Sequence, residues 1–126
     1  MIYLTVGEAI KIVDMLKPGN SFSEKEKIRW LSVLDGLIKN ETIDNHEGSE
    51  NIEFNGYNDS DIDTVLIAKE PYADIYTHWL IAMIDLYSGE LTRYDNDVSL
   101  FNEAKRRYVD YYNRTHAPKG VQKLRW

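Results

Sequence analysis

Residues 70–87, EPYADIYTHWLIAMIDLY, decide the fold of this chain. Apolar side chains cover most of a helical wheel drawn for this stretch, and the polar strip between them is chiefly Asp74, His78 and Asp85. A helix that is apolar around most of its circumference is buried on several sides. We therefore predict a central helix that begins at Glu70-Pro71, because proline is favoured in a first helical turn. Its apolar positions are Tyr72, Ile75, Tyr76, Trp79, Leu80, Met83, Ile84, Leu86 and Tyr87.

Two capped helices precede this stretch. Two residue pairs have the spacing of a capping box: Thr5 with Glu8, and Ser23 with Glu26. In a capping box the side chain of each residue bonds the backbone N–H of the other. The sequence KPGN at 17–20 ends the first helix, so the two helices form an αα-hairpin. The apolar stripes are Val6, Ile10, Val13 and Leu16 in the first helix, and Ile28, Trp30, Leu31, Leu34, Leu37 and Ile38 in the second.

A fourth helix is predicted after the SGE of 88–90, ending near Asn113. Its apolar positions are Leu91, Tyr94, Val98, Phe101, Ala104, Tyr108 and Tyr112, and its solvated face holds Asp95, Asp97, Glu103, Arg106, Arg107 and Asp110. The predicted fold class is therefore all-α, with about four helices around the third. We expect one helical domain over residues 1–117, a long loop at 44–69, and a basic tail at 118–126.

The loop at 44–69 is polar and rich in Asn, Asp and Gly. Two short pieces, NIEF at 51–54 and TVLIA at 64–68, have the composition to pair as strands. A connection of this length inside a compact domain is usually functional or mobile.

Composition excludes several classes of function. The 126 residues carry a net charge of −6, which disfavours a surface that grips the phosphates of DNA. The chain has no cysteine, so thiolate metal sites and cysteine nucleophiles are excluded. No apolar run has the length of a membrane span, and the first residues lack the pattern of a signal peptide, so we expect a soluble intracellular protein with no membrane partner.

The loop and the helix start also match the ligand spacing of a calcium loop. Asp59, Asp61, Asp63, Val65 and Glu70 occupy ligand positions 1, 3, 5, 7 and 12. Position 6 is not glycine, and FNGYN before the loop does not predict an entering helix. We favour a solvated loop with an acid at a helix start, and we keep a calcium-stabilised helical binding module as the alternative function.

Catalytic motifs are scarce. His78, Asp74 and Asp85 share one helical face and would suit a metal if another helix donated a fourth ligand. A histidine hydrogen-bonded to Asp74 is the simpler interpretation, and His46 has no partner histidine at the spacing of zinc proteases. With no nucleophile motif and no glycine-rich phosphate loop, we expect no enzyme activity and no cofactor.

Tyrosines cluster near the end of the fourth helix, in RRYVDYYNRTH. Tyr111 and Tyr112 lie a hundred degrees apart on a helical wheel, so they cannot both face one core. Tyrosine and arginine are enriched at interface hot spots, which makes these residues candidates for a partner surface. The alternative is that one packs inside and the other lies in solvent.

The order of these helices resembles a known family. LTVGEAIKIVDMLKPGNSFSEKEKIRWLSVLDGLI, followed by EPYADIYTHWLIAMIDLYSGELTRYDNDVSLFNEAKRRYVDYYNRTHAP, is similar to the head–tail connector, or neck adaptor, proteins of tailed phages and of prophages in Gram-positive bacteria. The resemblance covers nearly the whole chain up to Pro118, and it rests on the pattern and order of helices because the family has no catalytic signature.

The resemblance implies a virion structural protein. Such a subunit is made in the host cytoplasm and assembles in the virion neck as a ring, normally of twelve copies, beneath the portal protein. The ring extends the channel used in DNA packaging and ejection, through which DNA passes without sequence-specific binding, and it carries the next neck or tail-completion protein.

Two regions match the roles that the family implies. The tail would dock on the portal through Lys119, Lys123, Arg125 and Trp126, with Tyr111 and Tyr112 in the same partner interface. The loop acids Asp59, Asp61 and Asp63 would face the channel and keep its wall from gripping DNA.

Overall fold

The computed structural model describes residues 2–46 and 53–116. Within these ranges the chain forms four α-helices and no strand, which confirms the predicted all-α class. The helices are α1 (Val6–Leu16), α2 (Glu24–Glu41), α3 (Asp74–Tyr87) and α4 (Leu91–Thr115), with short 3₁₀ turns at Ile43–Asn45 and Asp61–Asp63. Among the described helices, none combines the length and the apolar character that a membrane crossing requires.

Both predicted capping boxes are present. The Glu8 N–H donates to Thr5 Oγ1 over 3.1 Å, and the Thr5 N–H donates to Glu8 Oε1 over 2.9 Å. Ser23 and Glu26 make the same reciprocal pair at the start of α2. Each box satisfies amide groups that a helix leaves unpaired in its first turn, which is why α1 and α2 begin where the sequence predicts.

Helix α3 is the centre of the fold, as predicted. It packs against α1, α2 and, most extensively, α4. Its inward side chains are fully or almost fully buried: Ile75, Tyr76, Leu80, Ala82 and Ile84. The helix ends at Tyr87, and Gly89 takes φ +78° in the turn to α4, a conformation that glycine adopts without strain.

The predicted start of α3 is wrong. Glu70-Pro71 is a cis peptide bond in the turn before the helix, and α3 begins only at Asp74. The Glu70 N–H donates to the carbonyl of Ile2 over 2.9 Å, and the Tyr72 N–H donates to the carbonyl of Lys69 over 2.8 Å. Glu70 and Pro71 therefore lie in a turn held against the N-terminal residues, and the first turn of α3 forms only after it.

The predicted pairing of NIEF with TVLIA is also wrong for the residues that the structure describes. Residues 64–66 instead lie antiparallel to residues 4–6, through bonds from Val6 N–H to Thr64 O (2.9 Å) and from Leu66 N–H to Leu4 O (2.8 Å). Leu66 and Ala68 are fully buried, so core burial holds this segment in place.

Five predicted positions on the helices need correction. The sequence predicts Asp97 on the solvated face of α4, but its side chain is only 9% exposed. Four residues predicted in apolar stripes are exposed: Leu16, Leu37, Tyr87 and Leu91. Leu16, Tyr87 and Leu91 lie at helix ends, beyond the reach of the core.

Candidate partner-binding surface

An aromatic groove lies on the surface between α2 and α3. We define it by Phe22, Trp30, Val33, Trp79, Met83 and Tyr87; Glu26 and Arg29 also line it, and its volume is about 690 Å³. Tyr87 is 62% exposed and Val33 is 50% exposed, whereas the two tryptophans are half-buried. The groove therefore presents large apolar side chains to solvent although they are continuous with the core.

Ring contacts and one hydrogen bond fix the walls of this groove. The Trp79 Nε1–H donates to the carbonyl of Trp30 over 2.8 Å, which joins α3 to α2. Trp30 stacks on Tyr87 with ring centroids 5.6 Å apart, and it contacts Phe22 at 5.3 Å. These contacts hold the aromatic rings in one arrangement without burying them.

A narrower α2–α4 cleft adjoins the groove and shares Trp79 with it. We define the cleft by Leu37, Trp79, Phe101, Lys105 and Val109. Phe101 packs on Trp79 with ring centroids 5.1 Å apart, and Leu37 is exposed. Groove and cleft together form one apolar path across α2, α3 and α4.

The composition of this path is typical of a protein interface. Tyr, Trp, Phe, Met and Arg are the residues enriched where proteins bind one another. Contiguous apolar surface rimmed by charges marks binding sites in soluble proteins, whereas single exposed apolar residues do not. The arrangement has the composition and shape to bind an apolar segment or helix.

A buried carboxylate, Asp35, organises the core beside α2. It is fully buried and accepts hydrogen bonds from Tyr76 Oη (2.6 Å), Tyr57 Oη (2.5 Å) and the Ile67 N–H (3.1 Å). Burial raises the pKa of Asp35 to about 6, and the three hydrogen bonds limit that rise because they favour the charged form. Asp35 thereby ties the residues before α3 to the middle of α2.

A pair of carboxylates, Asp85 and Asp97, lies at the C-terminal end of α3 and connects α3 with α4 and with the end of α1. The Lys17 Nζ contacts both Asp85 oxygens, at 3.0 and 3.2 Å, and Asp97 lies beside Asp85. Burial and the adjacent Asp85 carboxylate raise the pKa of Asp97 to about 7. Burial opposes ionisation of Asp85 too, but bonds from Asp97 and Lys17 outweigh it and lower the pKa of Asp85. Asp97 Oδ2 is buried and has no hydrogen-bond partner among the described residues, and a proton held between Asp97 and Asp85 would supply one.

The loop acids are accessible. Asp59 and Asp63 are exposed, Asp59 pairs loosely with Lys25 at 3.9 Å, and Asp61 accepts the Asn58 N–H over 2.8 Å. Val65 is exposed and Glu70 half-buried, and within residues 2–46 and 53–116 no three His, Cys, Asp or Glu side chains are grouped to hold a metal ion. The calcium interpretation therefore has no support from the geometry of the described residues.

Structural roles account for two of the histidines. His78 Nε2 lies 3.9 Å from Asp74 Oδ2, a loose ion-pair distance, while Arg107 binds the same oxygen at 2.7 Å. His46 is buried between the carbonyl of Thr42 and the Asn113 side chain, at 2.5 and 2.6 Å from its two ring nitrogens. His46, for which the sequence predicted no role, joins the end of α2 to the end of α4.

The two candidate interface tyrosines are placed differently. Tyr112 is 2% exposed and packs on His46 and His116, so it offers no surface to a partner. Tyr111 is half-buried, stacked on Tyr72 at 4.7 Å and covered by the Lys69 ammonium at 5.1 Å. The other interface candidates, Lys119, Lys123, Arg125 and Trp126, lie outside the described residues.

Sequence reasoning missed the aromatic groove. The helical wheel of α3 has more apolar positions than one core can cover, and Trp79, Met83 and Tyr87 are the positions left at the surface.

Comparison of the sequence with protein-family models found no match, and neither curated proteins nor solved structures gave a match.

Proposed function

We propose that this chain is a non-enzymatic virion structural protein: a head–tail connector subunit that forms a ring beneath the portal of a tailed phage or prophage. The sequence resemblance suggests the role, and the feature of the structure that supports it most is the aromatic groove. A heterologous contact between copies closes into a ring where the rotation from one copy to the next closes, and an exposed apolar surface of this kind suits such a contact.

The groove is the surface through which we expect one copy to contact the next. Truncating an aromatic hot-spot residue at an interface to alanine costs about 2 kcal/mol or more, which is about thirtyfold in affinity. Trp30, Trp79 and Tyr87 supply three such anchors, already fixed by their mutual contacts. The exposed acids of the loop then suit the channel wall, where like charge repels DNA phosphates.

Co-sedimentation with portal rings of the same phage, followed by electron microscopy of the pellet, tests this function. We expect rings stacked on the portal for the wild-type chain. Val33→Asp places a charge in the groove at a half-exposed position, so it should prevent ring formation while leaving the fold intact. Lys11→Asp, on exposed α1 surface, is the control and should form rings normally.

Absence of any portal binding at high concentration would refute the connector role. Two further variants address the two predicted regions. Replacing Asp59, Asp61 and Asp63 by lysine should slow DNA ejection from assembled particles. An unchanged rate of ejection would show that these acids do not face the channel. Deleting residues 119–126 should abolish portal binding, and normal binding by the truncated chain would show that the tail does not dock there.

A further inference from the structure

The first half of α4 buries only one side chain, and that side chain is a carboxyl. Between Leu91 and Glu103 the buried residue is Asp97, and the next one along the helix is Ala104. Leu91 is 60% exposed, and the N-cap residue Glu90 makes no side-chain hydrogen bond to the helix start. This half of α4 therefore lacks both a buried apolar anchor and the side-chain cap that fixes the starts of α1 and α2.

Asp97 lies against a buried ion pair at the end of α3. The Lys17 Nζ lies 3.0 and 3.2 Å from the two oxygens of Asp85, and Asp97 lies beside the Asp85 carboxyl. The charged groups that face the two carboxyls are Lys17, which follows α1, and Arg93 in α4. Arg93 is exposed, so solvent screens its charge, and the two buried carboxyls share one lysine.

The packing of Asp97 suits its neutral form. Its Oδ2 is buried and has no hydrogen-bond partner among the described residues, so a negative charge there would meet no donor. A buried charge without a partner is destabilising, whereas a proton held between two carboxyls gives each of them a hydrogen bond. The contact between α4 and the end of α3 is therefore strongest while that proton is present.

We propose that Asp85 and Asp97 form a proton-dependent contact that holds residues 91–98 of α4 against the end of α3, and that loss of the shared proton lets this half of α4 open locally. The second half of α4 stays packed, because Ala104, Tyr108 and Tyr112 are buried in the core. The inference rests on how α4 is anchored and does not depend on the connector role.

The pH range of the opening follows from the two environments of Asp97. In the closed form burial and the Asp85 carboxylate raise its pKa to about 7, and in the open form the pKa returns towards 3.8. The raised pKa favours the closed form at low pH, and this contribution is lost as pH rises from the lower value to the higher one. Local opening should therefore become about thirtyfold more favourable between pH 5.5 and pH 8.

Hydrogen exchange resolved by residue tests the inference. In the wild-type chain we expect the protection factors of the Asn96, Asp97 and Val98 amides to fall about thirtyfold from pH 5.5 to pH 8. In Asp97→Asn, where the amide can donate to Asp85 at every pH, this fall should shrink to less than about fivefold. The matched control is Asp95→Asn, which removes an exposed acid of the same helix and should keep the full fall.

Urea distinguishes local opening from unfolding of the whole chain. Local opening exposes little surface, so low concentrations of urea should leave exchange at residues 96–98 unchanged at pH 8. A strong urea dependence there would show that these amides exchange only on global unfolding and would overturn the inference.

Two other results would also overturn it: no fall in the wild-type protection factors, or an undiminished fall in Asp97→Asn. The carboxyl carbon of Asp97, followed by NMR, gives an independent measurement. We expect its signal to titrate near pH 7, and a midpoint near pH 4 would show that the two carboxyls share no proton. Each of these outcomes is independent of the portal experiment.

Discussion

Removing the hydroxyl of Tyr57 should destabilise the protein in a manner that depends on pH. Tyr57 donates one of three hydrogen bonds to the buried Asp35, and unlike Tyr76 it is only partly buried. Tyr57→Phe deletes that donor with almost no change in volume, so the measured effect belongs to the hydrogen bond.

The direction in which stability changes with pH follows from the raised pKa of Asp35. An acid whose pKa is higher in the folded state contributes stability that is complete below its unfolded pKa and is lost as pH rises through its folded pKa. The rise from 3.8 to about 6 corresponds to about 3 kcal/mol, so this one carboxyl should lower the free energy of unfolding by about that amount between pH 4 and pH 7. Tyr57→Phe raises the pKa of Asp35 further, so this fall becomes larger and extends to higher pH.

The loss of unfolding free energy that we expect from Tyr57→Phe differs between pH 4.5 and pH 8. At pH 8, where Asp35 is ionised, a hydrogen bond to a charged group is worth about 1.5–3 kcal/mol, whereas a bond between neutral groups at pH 4.5 is worth about 0.5–1.5 kcal/mol. Urea denaturation at both pH values measures the difference. Tyr87→Phe is the control, because that exposed side chain is far from Asp35 in the fold and should change stability little at either pH.

An equal loss at pH 4.5 and pH 8 would refute this reasoning. It would mean that Asp35 does not ionise in the folded protein, or that the Tyr57 hydroxyl contributes nothing to its charged form.

Three more predictions follow from other contacts. Asp97→Asn should raise the melting temperature at pH 8 and change it little at pH 5. The amide can donate to Asp85 at every pH, whereas the carboxyl of Asp97 loses its proton near pH 7. Equal effects on the melting temperature at both pH values would contradict a proton shared between Asp97 and Asp85. Gly7→Ala should lower the free energy of unfolding by about 1–3 kcal/mol in urea denaturation, because the new Cβ would lie within 3 Å of the Ile62 side chain. Its control, Gly36→Ala, has room for a Cβ in α2, so helix propensity should raise the free energy of unfolding by up to about 1 kcal/mol. Calcium should leave the melting temperature unchanged, and a rise that disappears in Glu70→Ala would restore the calcium-binding alternative.

Helix positions were predictable because they depend on local signals. Capping boxes at Thr5 and Ser23, and the apolar wheel of residues 70–87, act within a turn or two of helix. Those signals predicted the first three helices and the central place of α3, and the apolar positions between Leu91 and Tyr112 predicted the fourth. The start of α3 was not predictable in the same way, because a long-range bond from Glu70 to Ile2 outweighs the preference of Pro71 for a first turn.

The candidate site depended on contacts that no local pattern reports. Asp35 in α2 has the spacing of a core position but a polar side chain, and only its partners Tyr57, Tyr76 and Ile67, distant in sequence, explain its burial. Tyr112 was a surface candidate because two adjacent tyrosines cannot face one core. His46, brought in from the end of α2, supplies the second packing partner that buries it.

The aromatic groove has its rings held in place by contacts within the chain. Exposed aromatic side chains without internal contacts would lose rotamer freedom on association, at about 0.5–1.5 kcal/mol for each side chain. Trp79 is held by a hydrogen bond to the backbone of α2, and Trp30 is fixed between Phe22 and Tyr87, so that cost is already met in the folded chain. A neighbouring subunit would therefore meet a preformed site, and Val33→Asp, which alters that site itself, tests whether it is used.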